Sequence, residues 1–311
     1  MRLSQFHPED LVSRYREWAA FVFLGVVAWG TSFLWIKVAL RELDPLTVVM
    51  YRMVSGALAA WLITRLYRVP WTIRRDQWKF LLPLGIFYTA IPISLITWAE
   101  THIDSGLAGL LNGSVPLFTM LFAHFALPDD RFSVAKVSGL LLGFSGITLL
   151  VSHDAAAAGV SGELWGELAV VLATLLYGIC NVVVRLRLKG IHPVHMAAVN
   201  LSSAAVTMIL LVALFETPLQ IPQLPLTWLA CTWMGVVGLS LAYVANFYLL
   251  NSWGATRSAT VTYLIPVSAV SLGVIFLGER PGWELFAGGA LVIGGIALVN
   301  LTKSAAKSQP A

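Results

Sequence analysis

Ten runs of about twenty apolar residues follow one another along this 311-residue chain, at roughly 19–40, 46–66, 79–99, 104–126, 133–151, 164–187, 194–215, 227–249, 256–277 and 282–301. An α-helix needs about 20 such residues to cross the hydrocarbon core of a bilayer. The breaks between runs are short and polar, such as RELDP, YRVPWTIRRDQ, LPDDR, SHDAAAAG, RLKGIHP and GERPG, and they leave no room for a soluble domain. Charged residues make up 12% of the chain, against about 25% in soluble proteins. Lipid is therefore the main solvent. The expected class is an all-α polytopic membrane protein with ten transmembrane helices, whose lipid partner is the bilayer itself.

Lysine and arginine placement sets orientation. With the N-terminus inside, 16 of the 20 basic residues fall on the cytoplasmic side and only Arg41 and Arg280 on the outer side, while Lys37 and Arg52 lie within spans. Both termini are thus expected in the cytoplasm, with residues 1–18 and 302–311 as cytoplasmic segments and a bacterial-type inner membrane as the location. The first segment lacks the apolar core and cleavage site of a secretory signal. No basic patch with interleaved aromatics points to nucleic acid. Cys180 and Cys231 both lie in apolar runs and read as buried small hydrophobes, so neither a disulfide nor a metal site is expected.

The chain repeats itself. "AWGTSFLWIKVALRELDP" at 28–45 matches "LYGICNVVVRLRLKGIHP" at 176–193, so that Trp29-Gly30 meets Tyr177-Gly178, Lys37 meets Arg185 and Pro45 meets Pro193. Gly85 and Pro116 are spaced like Gly235 and Pro266, and DR at 130–131 precedes Gly139 and Gly146 as ER at 279–280 precedes Gly288 and Gly295. The expected units are residues 19–152 and 163–301, each of five spans. Five is odd, so the halves must insert upside down relative to each other. Inverted repeats of this kind are a construction principle of secondary transporters, with the site near the midplane at the repeat interface.

These residues resemble the drug/metabolite transporter superfamily in its ten-span EamA-like branch. The resemblance rests on WG followed by Lys37 and an LDP loop, Arg52, the small-residue stretch up to Pro116, "GATRSATVTYLIPV" and "FLGERPGWELFAGGALVIGG". It implies two inverted five-helix repeats around a central cavity. It also implies transport, often export, of small metabolites such as amino acids. The chain departs from the family in having Asp-Asp-Arg where Glu-Arg is usual in the first half.

Several residues are candidates for the pathway. Trp29, Phe33 and Lys37 share a helical face, and the repeat puts Tyr177, Asn181 and Arg185 on the matching face of the sixth span. Lys37 either snorkels to the headgroups or lines an outer mouth and holds an anionic group. Arg52 is expected to be structural, capping carbonyls or pairing with Asp44 or Glu100. Pro116 and Pro266 are expected to kink the fourth and ninth spans, freeing the carbonyls of Asn112 and Thr262 at the cavity. Trp98, Tyr243, Asn246 and Tyr263 complete a mostly apolar site with a few placed hydrogen bonds. His124 is a proton-shuttle candidate, and a packed or interfacial histidine is the plainer reading. Glu100, Asp104, Glu279 and Glu284 lie near span ends, and the absence of midspan carboxylates favours facilitated diffusion or exchange. The glycines of the fifth and tenth spans are expected to pack the repeats, or two protomers of a homodimer, together.

An alternating-access carrier of a small metabolite, without a cofactor and acting as a monomer or a homodimer, accounts for these features. An intramembrane or lipid-modifying enzyme would need a convergent catalytic set, and neither HExxH nor Gly-x-Ser-x-Gly occurs. A channel would need a continuous polar ring.

Overall fold

A computed structural model describes residues 8–126, 133–158, 162–246, 248–249, 252 and 259–307. The Asp130-Arg131 turn, Trp253 and Arg257 lie outside the described residues. The described residues form ten helical columns: α1 Tyr15–Ala39, α2 Pro45–Leu66, α3 Arg75–Ala99, α4 Ser105–Ala126, α5 Val134–Ala158, α6 Gly162–Arg187, α7 Pro193–Phe215, α8 Pro225–Asn246, α9 Val261–Leu277 and α10 Trp283–Lys307. Seven are long and apolar enough to cross a membrane, and the apolar stretches of α5, α9 and α10 are shorter. No strand occurs among the described residues. The architecture is two inverted five-helix repeats, α1–α5 and α6–α10.

The largest interfaces join one repeat to the other. Helix α2 packs on α7, α4 on α9 and α5 on α10, each helix against its own counterpart. Other large contacts between the repeats come in matched pairs: α3 with α6 and α8 with α1, α4 with α6 and α9 with α1, α8 with α2 and α7 with α3. This is the pattern of a pseudo-twofold axis.

Glycines set these approaches. A Cβ on Gly30 would lie 2.5 Å from the Cβ of Ser268, and one on its counterpart Gly178 would lie 2.7 Å from the Cβ of Phe118, the counterpart of Ser268. Likewise Gly85 lies against Asn200 and Ser203, while Gly235 lies against Arg52 and Ser55. The α5–α10 pair closes backbone to backbone, with Gly146 against the Gly288 carbonyl and Gly295 against Gly139 and Gly143. Lipid supplies no hydrophobic drive for helix association, so such contacts carry the packing through dispersion.

Loops 40–44, 100–104, 216–224 and 278–282 gather on one face, called the outer face below after the orientation expected from the sequence. There, three glutamates each hold a helix N-terminus in the opposite repeat. Glu216 accepts from the N–H groups of Leu46 and Thr47 (3.0 and 2.7 Å) and from the Thr47 hydroxyl (2.8 Å). Glu42 accepts from the N–H groups of Gln223 and Leu224 just before α8. Glu279 accepts from the N–H groups of Ser105 (2.8 Å) and Gly106 (3.1 Å) at the start of α4. A carboxylate there satisfies orphan N–H groups and meets the positive end of the helix dipole. Asp44 and Gln220 add a reciprocal pair of bonds across the same seam, at 2.7 and 2.6 Å. On the opposite face the Thr72 hydroxyl accepts from the His192 N–H (2.8 Å), and the Gln77 amide donates to the Lys189 carbonyl (3.1 Å).

Two outcomes follow. The Thr227 hydroxyl and the N–H groups of Gln223 and Leu224 hold the Glu42 carboxyl below the usual carboxylate range. A depressed folded-state value gives stability that is present above the ordinary value and lost as pH falls through the depressed one. Thermal unfolding in detergent is expected to show Glu42→Gln melting below the wild type at neutral pH, with the difference vanishing in acid. The second outcome concerns Gly235. Its Cβ position is filled by Ser55 and the Arg52 carbonyl, so Gly235→Val is expected to destabilise by about 1–3 kcal/mol through overpacking, measured by the same melts.

Candidate interior site

Local backbone irregularity places the interior side chains. Helix α1 breaks at residues 29–31 after a π-helical stretch, Phe23–Ala28. Its counterpart α6 runs unbroken through Tyr177-Gly178. The counterpart helices α3 and α8 both carry π-helical stretches, Gly85–Ala90 and Val236–Leu241. Such stretches are frequent at functional positions.

Pro116 and Pro266 do more than kink their helices. Helix α4 ends at Asn112 and restarts at Val115, so Pro116 is the second residue of a new segment. Pro266 stands third in the segment Leu264–Leu272, after a 3-10 turn at Ala259–Tyr263. A proline in the first turn loses no helical bond, because that N–H has no intrahelical partner. The expected bent helices are thus broken and restarted ones. The two breaks abut: a Cβ on Gly113 would lie 3.0 Å from Cγ of Pro266.

A polar chain crosses the interior between α3, α6 and α4. The Tyr88 hydroxyl donates to Oδ1 of Asn181 (3.1 Å), whose amide donates to the Thr119 hydroxyl (3.1 Å). The Tyr88 and Tyr177 rings meet edge to face at 5.4 Å. Tyr243 on α8 lies within electrostatic reach of both tyrosines, with half-buried Asn246 about one turn further on. On the α1–α8 side the Trp233 indole donates to the Thr31 hydroxyl (3.2 Å) and its ring approaches Trp35 at 6.1 Å.

Arg52 is 6% exposed and sits between α2 and α8. Its one hydrogen-bond contact is a long one, from an NH group to Sδ of Met234 at 3.9 Å, and its Nε has no partner among the described residues. No carboxylate comes within ion-pair distance of it among those residues. The expectation that Arg52 caps carbonyls or pairs with Asp44 or Glu100 is corrected. Asp44 bonds Gln220 instead. Tyr177 and Glu100 are electrostatic neighbours of the guanidinium without bonding it. Thr97 Oγ1, Asn112 Oδ1 and both oxygens of Glu100 are likewise buried without hydrogen-bond partners among the described residues.

Other candidates divide. Trp29 is half-buried at the α1 break, packed between two apolar clusters. Lys37 does not snorkel: its Nζ donates to the Ile103 carbonyl at 2.7 Å and ties α1 to the α3–α4 loop. Thr262 and Tyr263 are half-buried in the 3-10 turn that opens α9. Trp98 is 39% exposed and its ring lies on His102 at 4.4 Å, while its neighbours Thr97 and Glu100 are buried. His124 lies near the inner end of α4 with its ring edge-on to Phe125. Glu279, near a span end in sequence, caps α4. A cavity of about 210 Å³ opens beside it on the outer face, lined in part by His102, Asp104, Glu163, Arg280 and Glu284. Burial and Glu279 raise the Asp104 carboxyl above its usual range, against the pull of Lys37. Sequence reading passed over Tyr88, Thr119 and Trp233, and their signal was the π-helical and proline-broken segments they stand beside.

The sequence model of the EamA-like transporter family matches residues 16–152 and again residues 164–301. The chain belongs to that family. This EamA-like protein is 27% identical over 294 residues to a Bacillus subtilis (strain 168) protein named uncharacterized transporter YoaV, covering 92% of this chain and 99% of that one. It is 24% identical over 291 residues to the uncharacterized inner membrane transporter YedA of Escherichia coli (strain K12), covering 91% and 90%. A solved crystal structure superposes with a TM-score of 0.66 at 21% identity, covering 94% of this chain and 99% of the other, which supports the fold. The molecule is a multi-pass membrane transporter.

Lys37→Met is expected to release the α3–α4 loop while keeping the stem's packing. Amide hydrogen exchange over residues 100–104 should rise several-fold relative to wild type, and unchanged exchange would show that the Lys37–Ile103 bond holds nothing.

Proposed function

We propose that the protein carries a small metabolite bearing an acidic group, such as an amino acid or a related compound, across a bacterial inner membrane in the direction of export, by alternating access at the centre of the bundle. The observation that carries this reading is Arg52, a buried guanidinium with an unpartnered Nε and no ion pair among the described residues. A buried charge is costly unless paired, and intramembrane charges usually mark a substrate path. The substrate's carboxylate is the missing partner. Tyr88, Tyr177 and Tyr243 supply aromatic walls with polar handles, and Asn181 and Asn112 supply further hydrogen bonds.

Repeat asymmetry supports alternating access. Helix α1 is broken where α6 is continuous, so the two halves hold different conformations of one construction. Rocking would exchange them, opening one face as the other closes. In this conformation the three glutamate caps hold the outer face together.

The test is counterflow of labelled amino acids into liposomes containing the pure protein. Saturable accumulation is expected in the wild type. Arg52→Gln should weaken apparent affinity by about ten- to a hundredfold, the loss of a hydrogen bond to a charged group worth about 1.5–3 kcal/mol. Equal affinity in wild type and Arg52→Gln would remove the guanidinium from the site.

A further inference from the structure

Glu100 is a carboxylate in an unusual place. It is 1% exposed, and it stands at the end of α3 beneath the loop that Lys37 ties down. Neither oxygen has a hydrogen-bond partner among the described residues, and no Lys or Arg nitrogen there lies within ion-pair distance. The nearest cation in electrostatic terms, Lys37, spends its bond on the Ile103 carbonyl. A desolvated carboxylate without donors cannot remain ionised at modest cost; it takes up a proton instead.

Charged groups on several elements act on this carboxyl. Lys37 on α1 and Arg52 on α2 favour the charged form, while Glu279 after α9 opposes it. Helix α6 packs against α3 and brings Glu167 to the same end, with Gly166 lying against the Ala99 carbonyl and the side chains of His102 and Ile103. His102 and Asp104 stand on the loop above, and Asn112 on α4. The balance therefore turns on water and on the two cations. The gate is local: loop 100–104 is held by Lys37, and the α4 N-terminus by Glu279. Lifting these would admit water from the outer face to Glu100.

We propose that Glu100 is a proton-binding site loaded and unloaded through the outer face, and that its proton moves in exchange for the substrate. The inference rests on the carrier reading above. It goes beyond the expectation of facilitated diffusion or exchange that the lack of midspan carboxylates suggested, because Glu100 stands near a span end in sequence yet is buried within the bundle.

The test has two arms. Infrared spectroscopy of the reconstituted protein in light and heavy water reads protonated carboxyl groups directly and needs no substrate. A protonated-carboxyl band at neutral pH is expected in the wild type and absent in Glu100→Gln; superimposable spectra overturn the proposal. The second arm is counterflow of labelled amino acids with and without a pH gradient, each variant compared with its own gradient-free rate. A several-fold gradient response in the wild type, lost in Glu100→Gln and regained in Glu100→Asp, supports coupling. A response that Glu100→Gln retains overturns it. Wild-type protein that moves none of the amino acids tells against the carrier reading alone, and the infrared arm still decides whether Glu100 holds a proton.

Discussion

Every helix in this protein must find its neighbours in a solvent as apolar as its own side chains, so close approach at glycine decides the architecture. The contacts of Gly30 with α9, Gly178 with α4, Gly85 with α7 and Gly235 with α2 bring backbones near enough for dispersion to replace the missing hydrophobic drive. Each joins the two repeats, and each has a counterpart related by the internal symmetry. The inverted repeat is thus an interlocked pair whose halves depend on one another for their packing. That dependence puts polar side chains at the seam between them, where Arg52 lies against α8 and Asn181 reaches toward α3 and α4.

The outer seam works by a different force. Glycine contacts are short-range and make no distinction between open and closed faces. The bonds from Glu42, Glu216 and Glu279 to helix N-termini do make that distinction, because each joins a loop of one repeat to a helix start of the other. A carboxylate at a helix end interacts with aligned backbone dipoles as well as with single N–H groups. When the face opens, water can replace these partners at modest net cost, since an exposed hydrogen bond exchanges protein for solvent. Strong glycine packing inside and replaceable caps outside fit the proposed rocking of the two halves, which would keep the first and exchange the second.

Much of this was legible in the chain. The ten spans, the offset of the repeats and the equivalence of Gly85 with Gly235 follow from spacing alone, and the structure sets both glycines in matching contacts between the repeats. Helical phase within a span was less legible. Trp98 and Thr97 are adjacent in sequence, and only the packing of α3 on α6 shows that one faces outward and the other inward. The prolines were visible, but whether a helix bends or restarts depends on what fills the gap, here the contact of Gly113 with Pro266. Depth was the least legible property. Glu100 reads as a loop-edge residue until the Lys37–Ile103 bond folds the loop over it.

Arg52 and Glu100 sharpen what an interior charge means in such a fold. A purely structural charge would be expected to end in a pair, as Glu216 does with the start of α2. These two lie within electrostatic reach of each other yet form no bond. Left unpaired, both are costly to keep, and collapse into a direct salt bridge would relieve much of that cost. Helix packing prevents the collapse: the guanidinium is held against α8 near Gly238, and the carboxyl is fixed at the end of α3. A site that keeps an acceptor and a donor apart is poised for a ligand that joins them or for a proton that silences one. On the proposed carrier reading, stability that the bundle gives up at these positions is free energy that substrate or proton binding would recover, and that difference would bias which face is open.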